Sequence, residues 1–350
     1  MKIGIITFHW ATNYGAVLQA YALQNYLIKA GNEVHIIDYV PATITVKQHI
    51  LAIKNGDFAF FKQEQQLKQF RRQHLRLTDS KYLSHKSLIK KEHDFDCVIA
   101  GSDQIWNESF TLHGEGKVTL SYFLDFVKDE VRRVGYAVSF GFVKPSNQYI
   151  DAVKGEIKKF SAISVRETDG VNIVSTFGLK SFLVCDPTAL LEKSDYLSVI
   201  GNRATERGSV FAYILRENQV DAWNTAKYVG EVYKCDIKTG RYVGSMEEWI
   251  VAIHDAKFVI TNSFHGVMLS IIMNTPFIAL TIKGSGMNSR ITTLLESVGL
   301  SSRILETYSE EMIQEIMANE IDWVSVNNKF QKLRYTGVKF LQDALYDDNL

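Results

Sequence analysis

Residues 1–38 read MKIGIITFHWATNYGAVLQAYALQNYLIKAGNEVHIID, and this stretch decides the fold. Residues 3–8 are almost continuously apolar, as expected for a parallel strand that is buried on both faces. Residues 16–29 carry apolar side chains at helical spacing, and Gly31 is a typical helix stop. A second apolar run covers residues 34–38. The pattern predicts a strand–helix–strand unit, the building block of a parallel α/β sheet.

The same alternation of strands and helices continues along the chain. It is interrupted near residues 47–80, where a polar, helical pattern predicts an inserted arm, and again at the polar stretch 194–207, the best linker candidate. We therefore predict an α/β fold of two Rossmann-like domains that face a cleft. The predicted boundaries are residues 1–193 for the N-terminal domain with its insertion, 194–325 for the C-terminal domain, and 326–350 for a long C-terminal helix that packs back on the N-terminal domain.

The composition argues against several classes of protein. The chain has 350 residues, 46% of them hydrophobic, which suits about two domains with sizeable cores. Its 39 basic and 39 acidic residues give a formal net charge of zero, unlike a general nucleic-acid binder. The three cysteines are widely spaced, so neither a disulfide framework nor a zinc site is expected. No apolar run is long enough to span a bilayer, and we expect a cytoplasmic protein that needs no metal or cofactor.

Ligands of open α/β sheets bind beyond the carboxyl ends of the strands, so the loops at these ends are the candidate site. The first such loop leads to Asn13, Tyr14 and Gly15 at the start of a helix, where backbone N–H groups and the helix dipole would favour an anion. An ordinary helix cap explains these residues equally well. The loop contains no GxGxxG fingerprint, so a dinucleotide site is not predicted.

A second strand-end loop reads GSDQIWN at residues 101–107 and combines several polar groups with one tryptophan. Ser102, Asp103 and Gln104 could form hydrogen bonds to sugar hydroxyls, and Trp106 could stack on a sugar ring. Alternatively, the serine and the aspartate only cap a helix. The loop therefore favours a carbohydrate ligand without requiring one.

Three cationic side chains could hold an anion. Arg166 ends another predicted strand, where a guanidinium can clamp a carboxylate or phosphate, although a surface ion pair is as good an explanation. His265 lies between Ser263 and Gly266 at the start of an apolar helix and could donate to a phosphate or act as a general acid. Arg290 follows a Gly-rich loop that could close on a ligand, although a solvent-exposed loop would look the same.

Taken together, these motifs resemble those of the polysaccharide pyruvyl transferase family. The resemblance spans most of the chain and rests on five segments in this order: MKIGIITFHWATNYGAVLQAYAL, DCVIAGSDQIWN, AISVRETDG, CDPT and TNSFHGVMLSIIMNTPFIAL. It implies a GT-B-like fold, as in two-domain glycosyltransferases, and phosphoenolpyruvate as the donor. In such enzymes a strand-end arginine and a histidine of the second domain hold the donor, which correspond to Arg166 and His265. Other members often have an arginine where this chain has Ser263, and Arg290 could compensate.

The function that the resemblance implies is the transfer of pyruvate from phosphoenolpyruvate to a sugar hydroxyl pair as a ketal, with release of phosphate. Arg166 and His265 would bind the donor, His265 would protonate its methylene carbon, and Asp103 would accept a proton from the acceptor hydroxyl. The acceptor would be a sugar of a polysaccharide or exopolysaccharide, or a lipid-linked precursor.

Two other functions remain open. A nucleotide-sugar glycosyltransferase would use the same architecture, and a non-catalytic glycan-binding protein of a polysaccharide locus would bind the acceptor alone. The motifs of serine hydrolases, zinc proteases and P-loop nucleotidases (GxSxG, HExxH and Walker A) do not occur in the sequence. A lipid-linked acceptor would bring the chain to the inner membrane surface, which the basic arm could contact, although a solvated helix explains the arm as well.

Overall fold

The computed structural model describes residues 1–203, 208–215, 221–239, 244–282 and 289–347. Its contacts divide the chain into two compact units. Unit 1 comprises Met1–Leu190 and Arg334–Leu350, and unit 2 comprises Leu191–Leu333.

A parallel sheet forms the centre of unit 1. Its strands are β1 (Lys2–Ile6), β2 (Glu33–Tyr39), β3 (Leu77–Tyr82), β4 (Cys97–Ala100), β5 (Arg132–Val138), β6 (Ala162–Val165) and β7 (Phe182–Leu183). They are arranged in the order β3-β2-β1-β4-β5-β6-β7, and all neighbours are parallel. The strand order reverses between β1 and β4, which is the place where ligands of such sheets commonly bind.

Helices surround this sheet. They are α1 (Tyr14–Lys29), α2 (Ala42–Lys54), α3 (Phe58–His74), α4 (His85–Ile89), α5 (Glu108–His113), α6 (Asn147–Ile157) and α7 (Thr168–Ser175). Helix α1 begins where Asn13 accepts a hydrogen bond from the backbone N–H of Ala16 at 3.1 Å, and 12 of its 16 residues are buried. The helix and the two strands predicted from residues 1–38 are thus present.

The stretch predicted as an inserted helical arm contains one further strand. Helices α2 and α3 form the arm, but β3 follows them and pairs with β2 at the edge of the sheet. The sequence of this strand, LTDSKY, is polar and its residues are mostly half-exposed or exposed. An edge strand needs little apolar surface, so hydrophobic periodicity does not reveal it.

Unit 2 contains a smaller parallel sheet. Its strands are β8 (Ser209–Tyr213), β9 (Ile237–Thr239), β10 (Ala256–Thr261), β11 (Phe277–Leu280) and β12 (Ile304–Leu305), in the order β12-β11-β10-β8-β9. Its helices are α8 (Lys193–Ile200), α9 (Ala222–Tyr233), α10 (Met246–His254), α11 (Phe264–Met273), α12 (Ser289–Val298) and α13 (Glu310–Ala318). The predicted α/β class with two parallel sheets is confirmed.

The predicted long C-terminal helix is also confirmed, as α14 (Trp323–Tyr346). From Arg334 onward the chain belongs to unit 1, where the Nε of this arginine donates to the carbonyl of Ala189 at 2.6 Å. Gly337 allows close approach, because an added Cβ would overlap Tyr136 and Cys185. Within the described part of the chain, no helix combines the length and apolar character needed to cross a membrane.

Candidate active site

Side chains at the carboxyl ends of several strands of unit 1 form one hydrogen-bonded network. Arg166, which follows β6, donates from Nη1 to Asp186 Oδ2 at 2.7 Å and to Ser102 Oγ at 3.2 Å. Its Nη2 lies 3.3 Å from Asp103 Oδ1. Because parallel strands end at the same edge of a sheet, residues from the loops after β4, β6 and β7 meet here. Three residues predicted from sequence, Ser102, Asp103 and Arg166, are thus brought together.

Asp186 is the residue of this network that the sequence did not single out. Its carboxylate is fully buried, and both of its oxygens accept hydrogen bonds. Oδ2 accepts from Arg166 and from Ser102 Oγ (2.9 Å), and Oδ1 accepts from the backbone N–H (3.0 Å) and the hydroxyl (2.7 Å) of Thr188. The sequence feature that could have indicated Asp186 is the CDPT segment. An aspartate followed by a proline and a hydroxyl residue is common in turns.

The surroundings of Arg166 bear on its expected role. Its side chain is 1% exposed and faces the carboxylates of Asp103, Glu167 and Asp186. Burial acts to lower the pKa of Arg166, but the carboxylates, Asp186 foremost, outweigh burial and raise the pKa above its ordinary value. Both terminal nitrogens contact neighbouring side chains, and that this guanidinium also binds the donor stays a prediction. Arg166 holds Asp103 and Ser102 in place.

Asp103 is held in a backbone conformation that non-glycine residues seldom adopt. Its φ is +78°, and Ala137 on the neighbouring strand β5 also has a positive φ of +48°. The two segments are tied together, because the backbone N–H of Ser139 donates to the carbonyl of Asp103 at 3.0 Å. Strained residues of this kind cluster at functional sites. The Asp103 side chain is 17% exposed, so its carboxylate can reach a ligand.

Trp106 does not lie where the sequence suggested. Its ring has no exposed surface and stacks on Phe123, with ring centroids 4.8 Å apart. The indole N–H donates to the carbonyl of Tyr122 at 2.8 Å. The expectation that Trp106 stacks on a sugar is therefore wrong, because the loop turns its tryptophan into the aromatic core. Gln104 is half-buried and packs against Gly141, whose φ is +69°.

The start of α1 is an ordinary helix cap with buried neighbours. Asn13 caps the helix, as the plainer of the two explanations predicted. The Tyr14 side chain and Gly15 are buried, so the tyrosine packs in the core. The first turn of α1 contains no acidic residue, which leaves the helix dipole uncompensated by charge at this end.

In unit 2, the remaining predicted residues gather around the start of α11. Ser263 follows β10 and caps α11, with its Oγ accepting from the backbone N–H of Gly266 at 3.2 Å. His265 lies in the first turn and is 7% exposed. Its ring packs edge-on against Phe264, with centroids 5.1 Å apart, and the guanidinium of Arg290 lies 5.8 Å from the centroid of the same phenyl ring.

This arrangement suits an anion. No acidic residue lies in the first turn of α11, and a histidine and an arginine lie near the N-terminal end of this helix, where the helix dipole favours negative charge. Gly266 is needed at this turn, since an added Cβ would lie 2.7 Å from Thr261 Oγ1. The Gly-rich stretch 284–286, which was expected to close on a ligand, lies outside the described residues. Among the described residues, no group of three or more His, Cys, Asp or Glu side chains is placed to hold a metal ion.

Comparison with known families decides the assignment. The sequence model of the polysaccharide pyruvyl transferase family matches residues 13–284, which is more than half of the chain. The chain belongs to the polysaccharide pyruvyl transferase family. This confirms the family that the sequence motifs indicated and makes the chain a member of a transferase family. No curated protein sequence matched the chain.

Solved structures of similar fold support the architecture of this family member. UDP-GlcNAc 2-epimerase from Methanocaldococcus jannaschii is 14% identical, covers 98% of this chain and 99% of its own, and gives a TM-score of 0.56. Arabidopsis thaliana UGT89C1 complexed with UDP-L-rhamnose is 9% identical, and the match covers 100% of this chain and 99% of that structure with a TM-score of 0.58. The Neisseria meningitidis UDP-GlcNAc 2-epimerase bound to UDP-GlcNAc is 8% identical, and the match covers 97% of this chain and 100% of that structure with a TM-score of 0.54. At these identities the likeness shows a GT-B-like fold.

Proposed function

We propose that this family member transfers the pyruvyl group of phosphoenolpyruvate to a hydroxyl pair of a sugar, as a ketal, and releases phosphate. The observation that carries the proposal is the cationic start of α11, where His265 and Arg290 flank Phe264. Phosphoenolpyruvate carries a phosphate and a carboxylate, and a helix N-terminus beside two cationic groups is a suitable site for the phosphate.

The acceptor fits unit 1 better than the donor does. One guanidinium there faces three carboxylates, so the ends of β4, β6 and β7 repel a polyanion. Carboxylates and hydroxyls are, however, good hydrogen-bonding partners for sugar hydroxyls. We therefore assign Asp103 as the base that accepts the proton of an acceptor hydroxyl, with Ser102 and Arg166 fixing its position.

The reaction needs an acid, a base and stabilisation of charge. His265 donates a proton to the methylene carbon. The adjacent carbon, now cation-like, is attacked by one sugar hydroxyl, which gives up its proton to a base. The bond from this carbon to the phosphate oxygen then breaks, and the second hydroxyl closes the ketal. Overall, two sugar O–H bonds, the C–O bond to phosphate and the π bond of the enol carbon pair break. One C–H bond, two C–O bonds and one O–H bond of the released phosphate form. One hydroxyl proton replaces the proton given to carbon, and the other leaves with phosphate.

The assay that tests this function combines the purified protein, phosphoenolpyruvate and a panel of sugar acceptors. We expect phosphate release that depends on the acceptor, together with a product that gains the mass of the ketal. Thermal-shift measurements with phosphoenolpyruvate and with UDP-sugars provide a second readout. Stabilisation by a UDP-sugar, together with no phosphate release from phosphoenolpyruvate, would favour a nucleotide-sugar glycosyltransferase instead.

The location of the acceptor is part of the proposal, and helix α2 bears on it. Of its 13 residues only Ala52 is buried, while Val46, Ile50 and Ile53 are 55%, 48% and 68% exposed. Phe58, which begins α3, is 81% exposed. These apolar side chains lie among the lysines of the same arm, a combination that suits the interface of an anionic bilayer. A lipid-linked acceptor would then meet the protein at the membrane surface.

Vesicle binding tests this contact. We expect the protein to sediment with vesicles that contain phosphatidylglycerol, and Ile50→Ser/Ile53→Ser to weaken the partition about tenfold, since each isoleucine would bury several methylene groups. Val324→Ser, an exposed apolar position of α14, is the matched control. Equal partition of the arm variant and the wild type would contradict the membrane contact.

A further inference from the structure

A cavity lies within unit 1, beside the helical arm formed by α2 and α3. It has a volume of about 350 Å³ and is lined by the loop after β1, the end of β2, helices α2 and α3, and β3. Among its lining residues are His9, Asp38, Glu64, Lys68, Arg72 and Lys81. The cavity is therefore built partly from the carboxyl ends of β1 and β2 and partly from the arm.

The deeper wall of the cavity holds polar side chains that contact one another. The Nε2 of His9, which is 1% exposed, lies 3.2 Å from Asp38 Oδ1. Arg71 Nη2 lies 2.6 Å from Glu64 Oε1, and the hydroxyl of Thr12 donates to Glu64 Oε2 at 2.7 Å. These contacts fix the carboxylates of Asp38 and Glu64, and both remain partly exposed, at 15% and 23%.

The rim of the cavity has an excess of positive charge. Lys68, Arg72 and Lys81 are exposed, and the described part of the chain provides no carboxylate within ion-pair distance of them. Lys68 and Arg72 are four residues apart on α3, so they lie on the same face and repel each other. This repulsion destabilises the helix. An anionic ligand bound between the two side chains would offset the repulsion and explain why both are basic.

We propose that this cavity binds a sugar that carries one anionic group, and that this sugar belongs to the acceptor. The anion would contact Lys68, Arg72 and Lys81, while the fixed carboxylates of Asp38 and Glu64 would accept hydrogen bonds from ring hydroxyls. A volume of about 350 Å³ suits one substituted sugar ring, at the lower end of small-molecule pockets. The identification of this sugar as the acceptor rests on the proposed function, whereas the binding itself does not.

Isothermal titration with four probes tests the site. Glucose 1-phosphate and glucuronate each combine a sugar ring with one anionic group, and they distinguish a phosphate from a carboxylate as its source. Glucose provides the sugar ring without an anionic group, and inorganic phosphate provides an anion without a sugar ring. We expect one of the two anionic sugars to bind at least tenfold more tightly than either half. Inorganic phosphate binding as tightly as both anionic sugars would overturn the proposal.

The variants locate the binding. Lys68→Ala/Arg72→Ala should weaken the preferred anionic sugar about tenfold or more, because two charge-assisted contacts are lost. Lys62→Ala/Arg76→Ala removes the same charge from exposed positions of the same arm that do not line the cavity, and should leave binding unchanged. Equal weakening in both variants would show non-specific attraction and overturn the site.

The same data separate this proposal from the proposed function. If no acceptor supports phosphate release but the cavity variant alone loses the anionic sugar, the pyruvyl transfer fails and the cavity stands. If phosphate release is observed and Lys68→Ala/Arg72→Ala binds every probe as the wild type does, the cavity fails and the transfer stands.

Discussion

The strand ends of unit 1 and the start of α11 in unit 2 use positive charge in opposite ways. In unit 1 a single guanidinium is 1% exposed and is surrounded by three carboxylates, to two of which it donates hydrogen bonds. In unit 2 a histidine and an arginine flank one phenyl ring at a helix start whose first turn contains no acidic residue. In the first arrangement the charge is compensated by neighbouring side chains, whereas the second places two basic side chains beside a helix N-terminus, where the helix dipole favours an anion.

The comparison shows why a strand-end cation is not by itself an anion site. A buried cation must be compensated, and Arg166 is compensated by residues from neighbouring loops, which rigidifies those loops. The geometric consequence is a fixed Asp103 whose carboxylate stays partly exposed.

The largest expected effect is on stability and comes from Arg166→Met. The substitution leaves the buried carboxylate of Asp186 without its main counter-charge, and breaking one partner of a buried pair typically costs about 3–5 kcal/mol. Urea denaturation would measure the free energy of unfolding. Lys227→Met, at a 73% exposed position of α9, is the control. A loss below about 1 kcal/mol for Arg166→Met would mean that the network contributes little to the fold.

The next effect is on catalysis and comes from the start of α11. His265→Ala and Arg290→Ala should each lower kcat/KM by roughly 100- to 1000-fold, equivalent to about 2.7–4 kcal/mol, because each removes a group that stabilises developing charge. The free energy of unfolding should change much less than in Arg166→Met. Steady-state phosphate release, with Lys227→Ala as control, gives the measurement. Full activity in both variants would mean that these residues of unit 2 do not bind the donor.

The sequence predicted the framework because the framework depends on local patterns. A continuous apolar run, a capping asparagine and helical spacing define β1 and α1, and all three are visible within the first 30 residues. The rule that ligands bind at the carboxyl ends of strands then selected the loops whose side chains Ser102, Asp103 and Arg166 meet in the structure. These steps need no knowledge of which residues meet in space.

The parts that the sequence did not reveal depend on contacts between distant residues. Nothing local indicates that Arg166 meets Asp186, 20 residues further on, so the network around its guanidinium is not predicted. Trp106 sits among polar residues in the sequence, but its ring packs against Phe123, Phe140 and Phe160 once the loop turns inward. Burial decided both roles, and burial in a loop is set by the tertiary fold.

The last expected effect concerns the cysteine thiols, which differ in burial between the two units. Cys97 and Cys185 are buried in unit 1, and burial raises the pKa of each to about 12 from the ordinary value of 9.0, whereas Cys235 in unit 2 is half-buried. The folded state therefore disfavours ionisation of these two thiols. Their contribution to stability is complete below about pH 9 and is lost as the pH rises toward about 12.

Denaturation between pH 8 and pH 10.5 measures this loss, and Cys97→Ala/Cys185→Ala should reduce its slope. Alkylation at pH 8 localises it: Cys235 should react first, and Cys97 and Cys185 should react only through opening of unit 1. In Arg166→Met the two buried thiols should react faster while Cys235 keeps its rate. Equal acceleration of all three would mean that the arginine network stabilises both units together.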